Sequence, residues 1–129
     1  MVELVKWLRA QLDEDELVAR NTGQPGTSWR NFDMDGELRD DLNAGTVAYV
    51  PRVETRVHIA RHDPARVLRE SDAKRQIAAW RRQPTQKEFS SGRYRTMGCR
   101  CGDGWPCATL RLIALPYADR PGYQESWRP

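Results

Sequence analysis

Three cysteines, Cys99, Cys101 and Cys107, lie within nine residues of one another, and two histidines, His58 and His62, lie upstream. Cysteine thiolates and neutral imidazoles are the ligands that Zn²⁺ prefers, usually four of them in a tetrahedron. The histidines are four residues apart, so on a helix both side chains would lie on one face. The spacing predicts a structural zinc site with Cys101 and Cys107 as ligands and one of the histidines as a further ligand.

The cysteine segment also allows other interpretations. Gly102 and Gly104 let the chain turn between Cys101 and Cys107, whereas one residue between Cys99 and Cys101 is a shorter gap than zinc ligands usually have. A redox-active or free thiol pair is one alternative. Another is that Cys107 is a small buried apolar residue and the histidines bond to backbone groups. Catalytic zinc is not indicated, because no His-Glu-x-x-His pattern is present.

A second pattern is similar to the start of a calcium-binding loop. Asn31-x-Asp33-x-Asp35-Gly36 has the right spacing, but the twelfth position is Leu42, where a bidentate Glu is required. The turn of a β-hairpin explains the same residues. The Gly-rich and Gly-x-Ser-x-Gly signatures of phosphate-binding and nucleophilic sites do not occur, so a small metal-dependent enzyme ranks only third among the functions considered.

Basic residues are concentrated in the middle of the chain. Residues 56–100 carry 12 basic and 4 acidic side chains, whereas residues 1–55 carry 6 basic and 11 acidic ones. The middle segment could therefore attract phosphate groups or an acidic protein surface. Alternatively, the acidic N-terminal part folds against it, and the dominance of arginine reflects a GC-rich genome. The candidate nucleic-acid-binding residues are Arg66, Arg69, Arg75, Arg81 and Arg82.

The elements that must position these residues form a small α+β domain. Apolar periodicity predicts a helix over 3–20, and β-branched and aromatic runs predict an antiparallel β element over 27–51. Asp63-Pro64 is typical of a helix start and Pro84 of a stop, which predicts a helix over 63–82. A loop over 83–105 and a helix over 106–115 with a C-terminal tail complete a single domain, residues 1–129, with about three helices and a zinc-stapled loop.

Composition favours a cytoplasmic protein. No run of about 18 apolar residues is present, which predicts that no transmembrane helix forms. The N-terminal residues lack the basic and apolar regions of a signal peptide. An odd number of cysteines argues against a secreted disulfide framework.

Three segments together resemble one protein family. They are WLRAQLDEDE from Trp7, HIARHDPARVL from His58 and PCATLRLIALPYAD from Pro106. The family is a domain-of-unknown-function family of small proteins encoded by actinobacteria and their bacteriophages. The resemblance implies a bacterial or phage origin and a single domain. It implies no activity, because none is assigned to the family.

The chain departs from that family at two places. Members often carry a histidine after the central helix, where this chain has Trp80-Arg81-Arg82, and Asp-His-Pro in the tail, where it has Asp119-Arg120-Pro121. A metal site that used those histidines would need His58 or His62 here.

We therefore expect a non-enzymatic binding or accessory protein whose partner is another protein. The alternative is a DNA-binding regulator that uses the basic 56–100 segment. Zn²⁺ is the one cofactor that the residues suggest.

Overall fold

The computed structural model describes residues 3–22, 26–32, 34–42, 45–81, 86–91 and 104–129. The helices are α1 (Glu3–Arg20), α2 (Val53–Arg61), α3 (Pro64–Trp80), α4 (Gln86–Ser90) and α5 (Ala108–Ala114), and the strands are β1 (Trp29–Phe32), β2 (Glu37–Asp40) and β3 (Thr46–Tyr49). Single 3-10 turns follow at Leu115–Tyr117 and Glu125–Trp127. The predicted α+β class is confirmed. None of the helices in the described part of the chain is long and apolar enough to cross a membrane.

The chain divides into two compact units, one covering Asp13–Asp72 and the other covering Met1–Leu12 with Ala73–Pro129. We call the first the acidic unit, because its sequence carries 8 basic and 13 acidic side chains. We call the second the basic unit, because its sequence carries 13 basic and 5 acidic side chains. The charge separation in the sequence is therefore also a separation between compact units.

The core of the basic unit is built on the first half of α1. Leu4, Leu8 and Leu12 recur every four residues, so they share one helix face, and all three are buried. Their partners come from α3, from α5 and the residue before it, and from the C-terminal tail. These partners are Ala78, Cys107, Leu110, Ala114, Tyr117 and Trp127.

Aromatic contacts hold the C-terminal tail on α1. The Trp7 ring centroid lies 5.6 Å from that of Tyr123 and 5.4 Å from that of Trp127. Trp7 Nε1 donates a hydrogen bond to the carbonyl oxygen of Pro121 at 3.0 Å. Gly122 has a φ of +85°, and a Cβ there would lie 2.9 Å from Trp7 Nε1. Glycine at this position therefore lets the tail approach the indole.

The acidic unit is built on a three-stranded antiparallel sheet in the order β1-β2-β3. Residues directly opposite each other share a face, and Asp40 and Leu38 of β2 lie opposite Trp29 and Asn31 of β1. Leu38 and Asp40 are buried, so this is the inner face, and α2 packs against β1 and β2. The pattern that is similar to a calcium loop is a β-hairpin, in which Gly36 adopts a φ of +66°.

Helix boundaries differ from the predicted ones in the second half of the chain. The segment before Asp63, for which the sequence analysis above predicts no element, is the separate helix α2, and α3 ends at Trp80. The last helix begins at Ala108, with Cys107 at its N-cap position, and not at Pro106. The predicted loop over 83–105 contains the short helix α4, which lacks the apolar periodicity that would reveal it in the sequence.

Candidate functional site

The two histidines form a pair on the exposed side of α2. Both rings are exposed, and their centroids are 4.4 Å apart with an angle of 31° between the ring planes. His62 Nδ1 lies 2.8 Å from the carbonyl oxygen of His58. Because a carbonyl oxygen can only accept, this nitrogen carries the proton, and the Nε2 atom of neutral His62 has a lone pair free for a ligand. The helical spacing predicted from the sequence therefore brings the two rings together.

The cysteines are placed less completely. Cys107 is buried in the apolar core of the basic unit, beside Leu110 and Ala114 in the same cluster. Cys99 and Cys101 lie outside the described residues. Among the residues that are described, no group of three or more His, Cys, Asp or Glu side chains could hold a metal ion. The zinc site with cysteine ligands therefore stays a prediction.

The candidate nucleic-acid-binding arginines lie along α3. Arg66 Nε donates to Glu70 Oε1 at 2.6 Å, and Arg66 Nη1 donates to the carbonyl oxygen of Arg61 at 3.1 Å. Its charge is thus partly neutralised within the helix. Arg69 is exposed, Arg75 and Arg81 are half-buried, and Arg82 lies outside the described residues.

The buried charged groups of the acidic unit hold backbone segments in place. Asp40 accepts from the backbone nitrogens of Gly26 and Leu42 at 2.9 and 2.7 Å. Asp63 caps α3 by accepting from the nitrogen of Arg66 at 2.9 Å, and it also accepts from the nitrogen of Trp29 on β1 at 3.0 Å. The sequence predicted the cap but not the link to the sheet, because a bond across 34 residues has no local pattern.

Arg56 is the third buried charged residue of the acidic unit, after Asp40 and Asp63. Its Nε donates to Asn31 Oδ1 at 2.7 Å, and its Nη1 donates to the carbonyl oxygens of Val50 and Pro51 at 2.6 and 2.9 Å. These bonds join α2 to β1 and to the end of β3. Arg56 belongs to the predicted basic segment, but it is a structural residue and is not presented on the surface.

One end of the sheet exposes large apolar side chains. Met34 in the β1–β2 turn is 93% exposed, and Tyr49 at the end of β3 is 69% exposed. The Tyr49 ring covers Gly36 of that turn, and Val53 at the start of α2 is exposed nearby in sequence. Because β3 runs back towards the β1–β2 turn, Met34 and Tyr49 lie at the same end of the sheet. We call the surface formed by Met34 and Tyr49 the hairpin end.

Charged and aromatic side chains surround the hairpin end on the outer face of the sheet. Arg39 donates to Asp35 Oδ2 at 2.8 Å and to Glu37 Oε2 at 2.7 Å. The same guanidinium lies 3.9 Å from the centroid of the Phe32 ring. Of these residues, only Asp35 belongs to a pattern that the sequence shows, the one similar to a calcium-binding loop. An apolar Met34 within the polar Asp35-Gly36 turn is the one local signal that could have identified them.

The described part of the chain is therefore a small α+β fold that exposes Met34 and Tyr49 at one end of its sheet, and whose buried charged side chains bond to backbone groups. The chain matches, over residues 1–129, the family described as "Family of unknown function (DUF6221)", and it belongs to that family. The predicted resemblance to a domain-of-unknown-function family is therefore confirmed. The chain matches no curated protein and no solved structure.

Proposed function

We propose that this chain is a non-enzymatic accessory protein that binds another protein through the hairpin end. The observation that carries the proposal is the exposure of Met34 and Tyr49 at one end of a small, well-defined sheet. Leaving two large apolar side chains in water at one end of the sheet forgoes the free energy that their burial would supply. A partner that covered them would recover it.

The composition of this surface is that of a protein interface. Tyr, Phe, Met and Arg are enriched in the cores of such interfaces, and the hairpin end together with its rim offers Tyr49, Phe32, Met34 and Arg39. Tyrosine is also among the residues that most often dominate binding energy. We therefore expect Tyr49 to be the anchor.

The charge of the acidic unit indicates the kind of partner. Its sequence carries five more acidic than basic side chains, and Asp35 and Glu37 flank the hairpin end. Complementary charge favours association and selects partners. The partner that fits is a protein surface with an apolar centre and a basic rim, which a nucleic acid cannot provide.

Docking by side chains fits this surface better than docking by strand addition. The pairing of β2 with β3 shifts register between Leu38 and Arg39, which leaves Val47 as an extra residue on β3. A bulge on an edge strand interrupts the regular row of backbone groups that an added strand would need. The contacts are therefore expected to come from the Met34 and Tyr49 side chains themselves.

Site-specific photo-crosslinking tests the proposal. A photoreactive phenylalanine analogue replaces Tyr49 in one variant and Leu42 in a matched control, in cells that carry the gene naturally. Leu42 is 71% exposed but follows β2 at the other end of the sheet. We expect one protein to be cross-linked from position 49 and not from position 42, with a yield that nuclease treatment does not change.

Three results would count against the proposal. The first is equal cross-linking from both positions, and the second is the absence of any product from position 49. The third is a product that nuclease removes, which would favour the DNA-binding alternative built on the α3 arginines. The same crosslinker in purified protein would reveal a product of twice the chain mass if the partner were a second copy.

The proposal includes two expectations from the sequence. They are a cytoplasmic location and a bacterial or phage gene. A DNA-binding role would instead show affinity that falls with salt at a log–log slope of about −0.9 per phosphate contacted.

A further inference from the structure

We infer that His58 and His62 form a two-histidine site for a divalent transition-metal ion on the surface of α2. This site goes beyond the proposed protein-binding function and does not involve the cysteines. Imidazole nitrogen suits Cu²⁺, Ni²⁺ and Zn²⁺, and residues one helical turn apart can bind one ion together.

The hydrogen bond of His62 prepares that residue as a ligand. Nδ1 of His62 donates to the carbonyl oxygen of His58, which leaves Nε2 as the atom that can bind metal. Metal-bound histidines almost always make such a bond from the other ring nitrogen to a backbone carbonyl or a carboxylate. The same bond limits the movement of the ring, which lowers the entropy lost on binding.

Affinity for nitrogen ligands, and not the present distance between the rings, selects among metals. The ring centroids are 4.4 Å apart and the ring planes are tilted by 31°, so the rings are stacked and do not converge on one ion. The Nδ1 hydrogen bond holds the His62 ring, and the exposed His58 ring must rotate to bring a second nitrogen to the metal. Among the divalent first-row ions Cu²⁺ binds nitrogen ligands most strongly, so the site should prefer Cu²⁺ to Ni²⁺ and Zn²⁺.

Some of the charges near the histidine pair oppose the binding of a cation, and others favour it. Arg61 lies beside the pair in sequence, and its positive charge opposes a cation. Arg66 is partly neutralised by Glu70. In favour of a cation, both histidines lie at the C-terminal end of α2, where the helix dipole is negative, and the unit that carries them is acidic overall. With two protein ligands, the remaining coordination positions belong to water or to a second molecule.

Retention of the untagged chain on metal-loaded resin tests the site, because the sequence contains only these two histidines. The experiment uses Cu²⁺, Ni²⁺ and Zn²⁺ on the resin, the variants His58→Ala and His62→Ala, and a Cys99→Ser/Cys101→Ser control. We expect retention of the parent and of the cysteine control, strongest on Cu²⁺. Because two linked ligands bind more tightly than one, each histidine variant should bind Cu²⁺ on the order of 100-fold more weakly in a titration.

Each of the other outcomes overturns the inference. Loss of retention in the cysteine control would assign the binding to the thiols. A single histidine variant with parental Cu²⁺ affinity would show that the rings do not act together. Stronger binding of Zn²⁺ than of Cu²⁺ would contradict ligation by imidazole nitrogens, which bind Cu²⁺ more strongly. Because Tyr49 cross-linking does not depend on metal, failure of this site leaves the proposed function intact.

Discussion

Single charged residues in this protein connect segments that are distant in sequence. Asp63 caps α3 and also accepts a bond from β1, and Arg56 joins α2 to β1 and to the end of β3. Each replaces hydration by several short, directed hydrogen bonds, so removing one side chain leaves more than one backbone group unsatisfied. The free energy of unfolding should therefore respond strongly to these positions.

Asp63→Ala removes two acceptors at once. We expect a loss of about 2–3 kcal/mol, about 1 from the cap and the rest from the unpaired Trp29 N–H. Asp63→Asn keeps one acceptor oxygen and should cost about 1 kcal/mol. Urea denaturation followed by tryptophan fluorescence measures both variants. If Asp63→Ala cost no more than Asp63→Asn, the link to β1 would not contribute to stability.

The pairing of Glu125 with Arg128 near the C-terminus can be tested by titrating the Glu125 carboxylate. The guanidinium of Arg128 donates hydrogen bonds to this carboxylate, which lowers the pKa of Glu125 below its ordinary value. The contribution of this pair to the stability of the folded state is therefore present above the ordinary pKa of about 4.3 and is lost as the pH falls through the lowered pKa. Carboxyl-carbon NMR should report the lowered pKa, and Arg128→Gln should return it to the ordinary range. An unchanged pKa in that variant would contradict the pairing.

Among the elements, α1 changes character along its length. Leu4, Leu8 and Leu12 are buried in the basic unit, whereas Leu17 and Val18 near its end are exposed. Apolar periodicity in the sequence identifies the first half, because the spacing of four residues is regular. The exposed pair breaks that regularity, and neither residue belongs to the core.

Two substitutions of the same type on α1 should therefore differ greatly. Leu8→Ala empties a fully buried position and should cost about 2–5 kcal/mol. Leu17→Ala, at a position that is 59% exposed, should change stability by less than about 0.5 kcal/mol. Thermal and urea denaturation of the two variants measure the difference. Similar losses would mean that Leu17 is covered in solution.

The cysteine segment carries the zinc hypothesis. The zinc hypothesis predicts that a chelator lowers the melting temperature, because structural zinc binding is coupled to folding. It also predicts that Cys107→Ser destabilises more than Cys99→Ser. The burial of Cys107 makes that variant costly even without zinc, because a hydroxyl would replace an apolar thiol. The chelator therefore decides: an unchanged melting temperature with under about 0.2 zinc per chain contradicts the site.

At the scale of the whole molecule, the sequence predicts the fold class better than it predicts which side chains are exposed on the surface. The antiparallel element and the helix cap at Asp63 follow from local patterns of apolar residues and turn formers. The hairpin end could not be predicted, because burial of Tyr49 or Met34 depends on what the rest of the chain leaves uncovered. The pairing of His58 with His62 follows from helical spacing alone. The position of the proton on His62 follows only from the structure, because it depends on the bond to the carbonyl oxygen of His58.

The acidic and basic units differ in the charge of their sequences, 8 basic and 13 acidic side chains against 13 basic and 5 acidic. At the rim of the hairpin end, Asp35 and Glu37 both bond to Arg39, so two carboxylates share one guanidinium. A partner with a basic rim would complement that pair.

The affinity of the cross-linked partner for two matched variants tests the binding role most directly. Tyr49→Ala removes the expected anchor and should weaken binding by at least about 2 kcal/mol, which is about 30-fold in Kd. Leu42→Ala, at an equally exposed position on the other end of the sheet, should leave Kd within about two-fold. Isothermal titration calorimetry measures both values on chains whose melting temperatures match the parent. Equal Kd values for the two variants would contradict binding through the hairpin end.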